Sequence, residues 1–89
     1  MFDQGDELGL RLLIRAVIIA ALKDLGNCSD LDRSKIFCWI RTDIFYEMCS
    51  FAGWSEEWLV DVFNRVDDLE GVVRREISDQ CVHMLKFVA

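Results

Sequence analysis

The sequence predicts an all-α protein, a compact bundle of about five short helices with a helix-turn-helix-like corner. Three observations carry that expectation. Proline is absent and there are five glycines, so the chain holds few helix breakers and little of the turn chemistry that a many-stranded sheet requires. Apolar residues recur at three-to-four spacing, the period of one buried helix face. Short polar residues stand just ahead of those stripes, where side chains cap helix N-termini.

The first helix is expected over roughly Glu7 to Leu25. Acidic residues open it at the positive end of the helix dipole, and Glu7 stands four residues before Arg11, the favourable order for an ion pair. Arg11 and Arg15 share a face. From Ala16 to Leu22 every residue is apolar, so this half has no evident solvent side and is expected at the centre of the core, surrounded by other helices or by a partner subunit. That run is seven residues, bounded by Arg15 and Lys23, against the ~20 needed to cross a bilayer, and no membrane span is expected. Gly26 and Asn27 close the stretch.

Ser29 followed by Asp32 resembles a capping box with aspartate in place of glutamate, starting a second helix near Asp30 that runs to about Arg41, with Ile36, Phe37 and Ile40 facing inward. Thr42 or Asp43 caps a third helix, whose buried face is Ile44, Phe45, Met48, Cys49 and Ala52. Gly53 ends it. Ser55 caps a fourth helix, with Glu56 and Glu57 in its first turn and Trp58, Leu59, Val62, Phe63 and Val66 as its apolar stripe. Gly71 interrupts the next stretch. Beyond it, Val73, Ile77, Cys81, Met84 and Val88 fit a helical stripe, and helix is favoured over a β-wing at Val72 to Ile77 because no second β-like run is available to pair with it.

With 89 residues the chain is one domain, residues 1–89, since a second core would have too little surface to bury. Hydrophobic residues make up 53% of it, enough to fold and too many for a disordered acidic tail. The four cysteines, Cys28, Cys38, Cys49 and Cys81, stand 10, 11 and 32 residues apart. That spacing has no C-x-x-C pair, and no signal peptide accompanies it, so the expectation is reduced, mostly buried thiols in a cytoplasmic protein. Cys81 and His83 are the one close Cys/His pair, and on a helix they point about 200° apart, so no metal site and no cofactor are expected. His83 is the single histidine, with no nucleophile or carboxylate set beside it by a motif; with no glycine-rich phosphate loop either, an enzyme is not expected.

The functional signal is a contradiction between shape and charge. Taking Phe45 as the first position of a helix-turn-helix puts Met48 and Cys49 fourth and fifth, Ala52 eighth, Gly53 ninth, Trp54 tenth, Leu59 fifteenth and Val62 eighteenth. A small residue lets the helices approach, glycine takes the left-handed turn, and the apolar positions lock the crossing. Yet Thr42 to Gly71 carries eight acids (Asp43, Glu47, Glu56, Glu57, Asp61, Asp67, Asp68 and Glu70) and one base, Arg65. The remaining 59 residues hold eight acids and nine bases, so the net charge of −6 resides in the motif. DNA affinity comes mainly from cations that displace counterions, and this segment would repel phosphate.

The segment with Trp39, Asp43, Phe45, Cys49, Ala52 and Gly53, followed by a capped helix, resembles a pattern in short phage and prophage proteins of unassigned function, over about Ile36 to Val66. The resemblance implies a mobile-element protein of helix-turn-helix type and transfers no established functional residue. Many such proteins are non-enzymatic binders of host transcription or defence machinery.

Two readings follow. In the first, Glu56, Glu57, Trp58, Asp61, Asp67 and Asp68 bind a protein partner with a basic surface on a host or defence nucleoprotein and inhibit or redirect it, the carboxylates steering approach and the indole anchoring. In the second, the chain is a DNA-binding transcription regulator that contacts the duplex through Arg11, Arg15, Arg33, Lys35, Arg41, Arg74 and Arg75, with the apolar first helix offering a homodimer contact.

Overall fold

The computed structural model describes residues 4–87, with side chains from Leu8 onward. Five helices follow one another: α1 (Gln4–Asn27), α2 (Asp30–Ile40), α3 (Asp43–Ala52), α4 (Glu56–Asp67) and α5 (Gly71–Leu85). Among the described residues there is no strand. None of these helices is long and apolar enough to cross a membrane. The Glu7–Arg11 pair and the Val88 position of the last stripe lie outside the described side chains.

The helix starts follow the local chemistry. Ser29 accepts from the Asp32 N–H and its hydroxyl donates to the Asp32 carboxylate. Thr42 accepts from the Phe45 N–H at 3.2 Å and donates to the Trp39 carbonyl at 2.6 Å. One hydroxyl therefore closes α2 and opens α3 across a two-residue link. Ser55 caps α4 by accepting from the Trp58 N–H. At the end of α3, Gly53 takes φ 79°, the Trp54 N–H reaches back to the Cys49 carbonyl and the Gly53 N–H to that of Ser50. This paired reversal is the Schellman motif, and it needs a residue without a Cβ at the left-handed position.

α1 is the spine: it touches each of the other four helices, α5 most extensively. Its Ile18, Leu22 and Leu25 are fully buried with Phe45, Cys49 and Ala52 of α3 and Leu59 and Phe63 of α4. Trp39, Phe45 and Phe63 stand edge to face in a chain, with ring centres 4.8 and 6.0 Å apart, so one aromatic run ties α2 to α3 to α4.

Several expectations are corrected. α1 does end at Asn27, but Gly26 serves there as more than a stop: it packs against α5, where a Cβ would come within 2.5 Å of the Ser78 Cβ. Ser78 is the buried polar residue of that contact, and its hydroxyl donates to the Leu22 carbonyl at 2.7 Å. The buried face of α5 is accordingly Ser78, Val82 and Leu85, while Val73 and Met84 are exposed. A hydrophobicity count misses this face because its central residue is a serine. Gly71, at φ 56°, begins α5 and interrupts no stripe. Ile44 is exposed, since α3 turns Phe45, Cys49 and Ala52 inward and leaves no room for a wider face. Ala16, Val17 and Ala20 give α1 a solvent side that was not expected. Of the four free cysteines Cys49 alone is buried, and Cys38 is exposed.

The Gly26 contact gives a prediction whose sign separates two effects. Helix propensity alone favours Gly26→Ala by about 1 kcal/mol. The steric contact with Ser78 should reverse this, for a net loss of about 1–3 kcal/mol in urea unfolding at constant m-value. Adding Ser78→Gly should recover part of the loss. A stabilised Gly26→Ala variant would mean that the two helices do not approach this closely.

Candidate functional site

Two arginines hold the C-terminal ends of α3 and α4 from outside, the first of them at the corner between the two helices. Arg15 of α1 donates its Nε–H to the Ala52 carbonyl at 2.8 Å, and its guanidinium lies 5.0 Å from the centre of the Trp54 ring. Arg33 of α2 donates Nε–H to the Asp67 carboxylate at 2.8 Å and an Nη–H to the Asp67 carbonyl at 3.2 Å; it also pairs with Asp30 at 3.0 Å. Ala52 and Asp67 are the last residues of α3 and α4. Each arginine thus satisfies a carbonyl that its helix cannot, at the negative end of that helix's dipole. The Asp67 hydrogen bond, more than neighbouring charge, raises the Arg33 pKa above its ordinary value.

Both arginines belong to the set proposed for DNA, and both are engaged in these contacts. Arg74 is half-buried beside Gly26, its backbone carbonyl 3.5 Å from where a Gly26 Cβ would stand. Arg11, Lys35, Arg41 and Arg75 are exposed, distributed over α1, α2, the α2–α3 link and α5. None is on α4.

The six partner-binding candidates are separated by the helical period. At about 100° per residue, Glu57, Asp61, Asn64 and Asp68 fall on one line opposite the buried Leu59, Phe63 and Val66. All four are exposed. Glu57, Asp61 and Asp68 therefore form a carboxylate ridge, with Asn64 on the same line. Asp61 receives Arg65 at 2.8 Å across one turn, both side chains largely in water, a contact of only a few tenths of a kcal/mol. Trp58 is exposed on the flank towards α5, lining a small apolar recess with Val62, Cys81 and Met84. Glu56 and Asp67 do not join the ridge. Glu56 is half-buried on the side of Cys49, and Asp67 is held by Arg33. On α3 the matching outward line holds Asp43, Glu47 and Ser50, all exposed. Both helices of the corner thus turn acids to solvent.

Among the described residues, no group of three or more His, Cys, Asp or Glu side chains is placed to hold a metal ion. His83 is exposed, its ring edge-to-face with Phe87 at 5.0 Å. No protein-family model matches the chain, and no curated protein or solved structure matches it either.

Cys49 lies one turn before the corner and reports its closure. Burial, with a smaller contribution from the Glu56 carboxylate, pushes its thiol from 9.0 up to about 11. The unfolded chain gives up this proton first, so the contribution is whole below pH 9.0 and is lost as pH rises towards 11. At about 1.4 kcal/mol per unit, stability should fall by about 2–3 kcal/mol across that window, less steeply in Cys49→Ala. Urea midpoints at pH 8 and pH 10.5 measure this. Equal falls in both proteins would mean that the thiol is accessible in the folded corner. A thiol reagent should likewise modify Cys38 well before Cys49.

Proposed function

We propose that this is a small acidic, non-enzymatic binding protein of phage or prophage type. In this reading the outer ridge of α4 takes a basic surface on a protein partner, such as a host or defence nucleoprotein, and inhibits or redirects it. One observation carries the reading. The helix that would read DNA in a helix-turn-helix has carboxylates at three of its four outward positions, Glu57, Asp61 and Asp68, and its sole cation, Arg65, is paired with Asp61.

Physical support comes from both terms of association. Carboxylates aligned on one ridge create a local potential that steers a basic partner into place, an effect on the on-rate that salt suppresses. Trp58, 40% exposed beside the ridge, supplies the aromatic surface that most often carries affinity at an interface. Phosphate binding asks for the reverse arrangement, with cations on the outward line. Apart from Arg65, the exposed cations here stand on other elements, and Arg15 and Arg33 are engaged at helix ends.

The test is affinity capture from the host with proteins and nucleic acid both identified, comparing the native chain with Glu57→Lys/Asp61→Lys/Asp68→Lys. All three positions are exposed, so helicity should be retained. The expected result is a basic protein captured by the native chain, released by moderate salt and lost with the variant. Retention of the same partner by the variant would exclude the ridge. A native chain that captures no protein yet shifts a DNA duplex, with a steep fall on adding salt, would favour the transcription-regulator reading.

A further inference from the structure

We propose that the groove between α1 and α5 binds a small amphipathic anion of fatty-acid type. Its apolar tail lies along the groove, and its carboxylate meets the cations and the indole N–H at the Trp54 end. This site is separate from the α4 ridge.

The groove has a volume of about 760 Å³, within the ~300–1,000 Å³ over which small-molecule sites fall. It follows α1 from Leu12 to Lys23, a length of about 16 Å at ~1.5 Å per residue. Ala16, Ile19 and Ala20 form its wall on α1, and Val82 and Leu85 form its wall on α5. The two alanines, both exposed, keep it open, since a large side chain at either position would fill the seam. The Ser78 hydroxyl, bonded to the Leu22 carbonyl, fixes the register of two antiparallel helices. Asp79 therefore falls at the Lys23 end of the groove, and Leu85 and Lys86 fall at the Leu12 and Arg15 end.

Two observations give the occupant its chemistry. The first is charge. In a chain of net charge −6, the groove is lined by Arg15, Lys23, His83 and Lys86 against Asp79. Asp79 shares an end with Lys23, so the excess positive charge lies towards Lys86 and Arg15. Arg15 keeps its charge there while its Nε–H stays on the Ala52 carbonyl. The second is a donor without an acceptor. Trp54, whose ring lies 5.0 Å from the Arg15 guanidinium, lines the same groove and is only 6% exposed. Its buried Nε1–H has no hydrogen-bond partner among the described residues. Leaving such a donor unpaired is costly, and a carboxylate oxygen brought to that end offers the missing acceptor. Apolar walls with a cationic end thus select a tail joined to an anionic head. A bare inorganic anion would leave the walls uncovered, and a cationic amphiphile would meet like charge.

Titration of the full chain with decanoate, below its micelle-forming concentration and followed by the indole N–H resonances, tests this. Trp54→Phe identifies the Trp54 signal. Decanoate should shift that signal saturably, with a dissociation constant below about 1 mM. Decanol should bind at least about 10-fold more weakly, and decyltrimethylammonium should leave the signal unmoved. Lys86→Glu, at an exposed position, should weaken decanoate by about 10-fold or more and spare decanol. Ala20→Phe, also at an exposed position, should fill the groove and weaken both, with helicity retained. A Trp54 signal indifferent to decanoate would overturn the proposal. So would decanol binding as tightly as decanoate, or decanoate binding that neither substitution weakens. None of these variants touches α4, so each result is independent of whether its ridge binds a basic protein.

Discussion

Arg15 places its Nε–H on the last carbonyl of α3 and its guanidinium over Trp54, the second residue of the turn that follows. Much of the corner depends on this contact. The Schellman reversal at Gly53 satisfies the carbonyls of Cys49 and Ser50 internally, but leaves that of Ala52 to an outside donor. α3 has no basic residue in its own last turn, so the donor comes from α1, thirty-seven residues earlier. The same solution recurs at the end of α4, where Arg33 of α2 holds Asp67. Two helices with acidic faces are thereby anchored at their negative ends by cations from the first two helices.

This division of labour leaves the outward face of α4 with Arg65 as its sole cation. Cations near a DNA-reading motif normally meet phosphate. Here Arg15 holds the end of α3 at the corner and Arg33 holds the far end of α4, while the outward line of α4 is left to Glu57, Asp61, Asn64 and Asp68. Because these residues lie opposite the fully buried Leu59 and Phe63, their direction is set by the core. The ridge is consequently presented on a rigid element, as a binding surface requires if ordering it is not to consume the binding energy.

The helices and their caps were legible in the sequence because they depend on neighbouring residues. Ser29, Thr42 and Ser55 each cap the helix that follows, and Gly53 takes the left-handed position that the spacing around it implies. What was not legible depends on contacts distant in sequence. The buried face of α5 centres on Ser78, fifty-six residues from the Leu22 carbonyl it bonds, and Gly26 reads as a helix stop until the helix it must admit is known. Arg15 and Arg33 look like surface cations for the same reason. One signal was available for Arg15: a lone charge inside an apolar stretch needs a partner, and the open end of a helix is a common one. Of the six candidate partner residues, the helical period alone separates Glu57, Asp61 and Asp68 from Glu56 and Trp58. The diversion of Asp67 to Arg33 required the fold.

The central proposal is that the outward face of α4, lined by Glu57, Asp61 and Asp68, takes a basic surface and not a nucleic acid. Amide chemical shifts, followed at low salt during separate titrations with an arginine-rich peptide and a DNA duplex, address it most directly. The account predicts that the peptide perturbs the amides of Glu57, Asp61, Asn64 and Asp68 ahead of those at other acids such as Asp24 and Asp79, while the duplex leaves α4 unmoved. Perturbation of α4 by the duplex, with the peptide spread indifferently over the acidic surface, would contradict it.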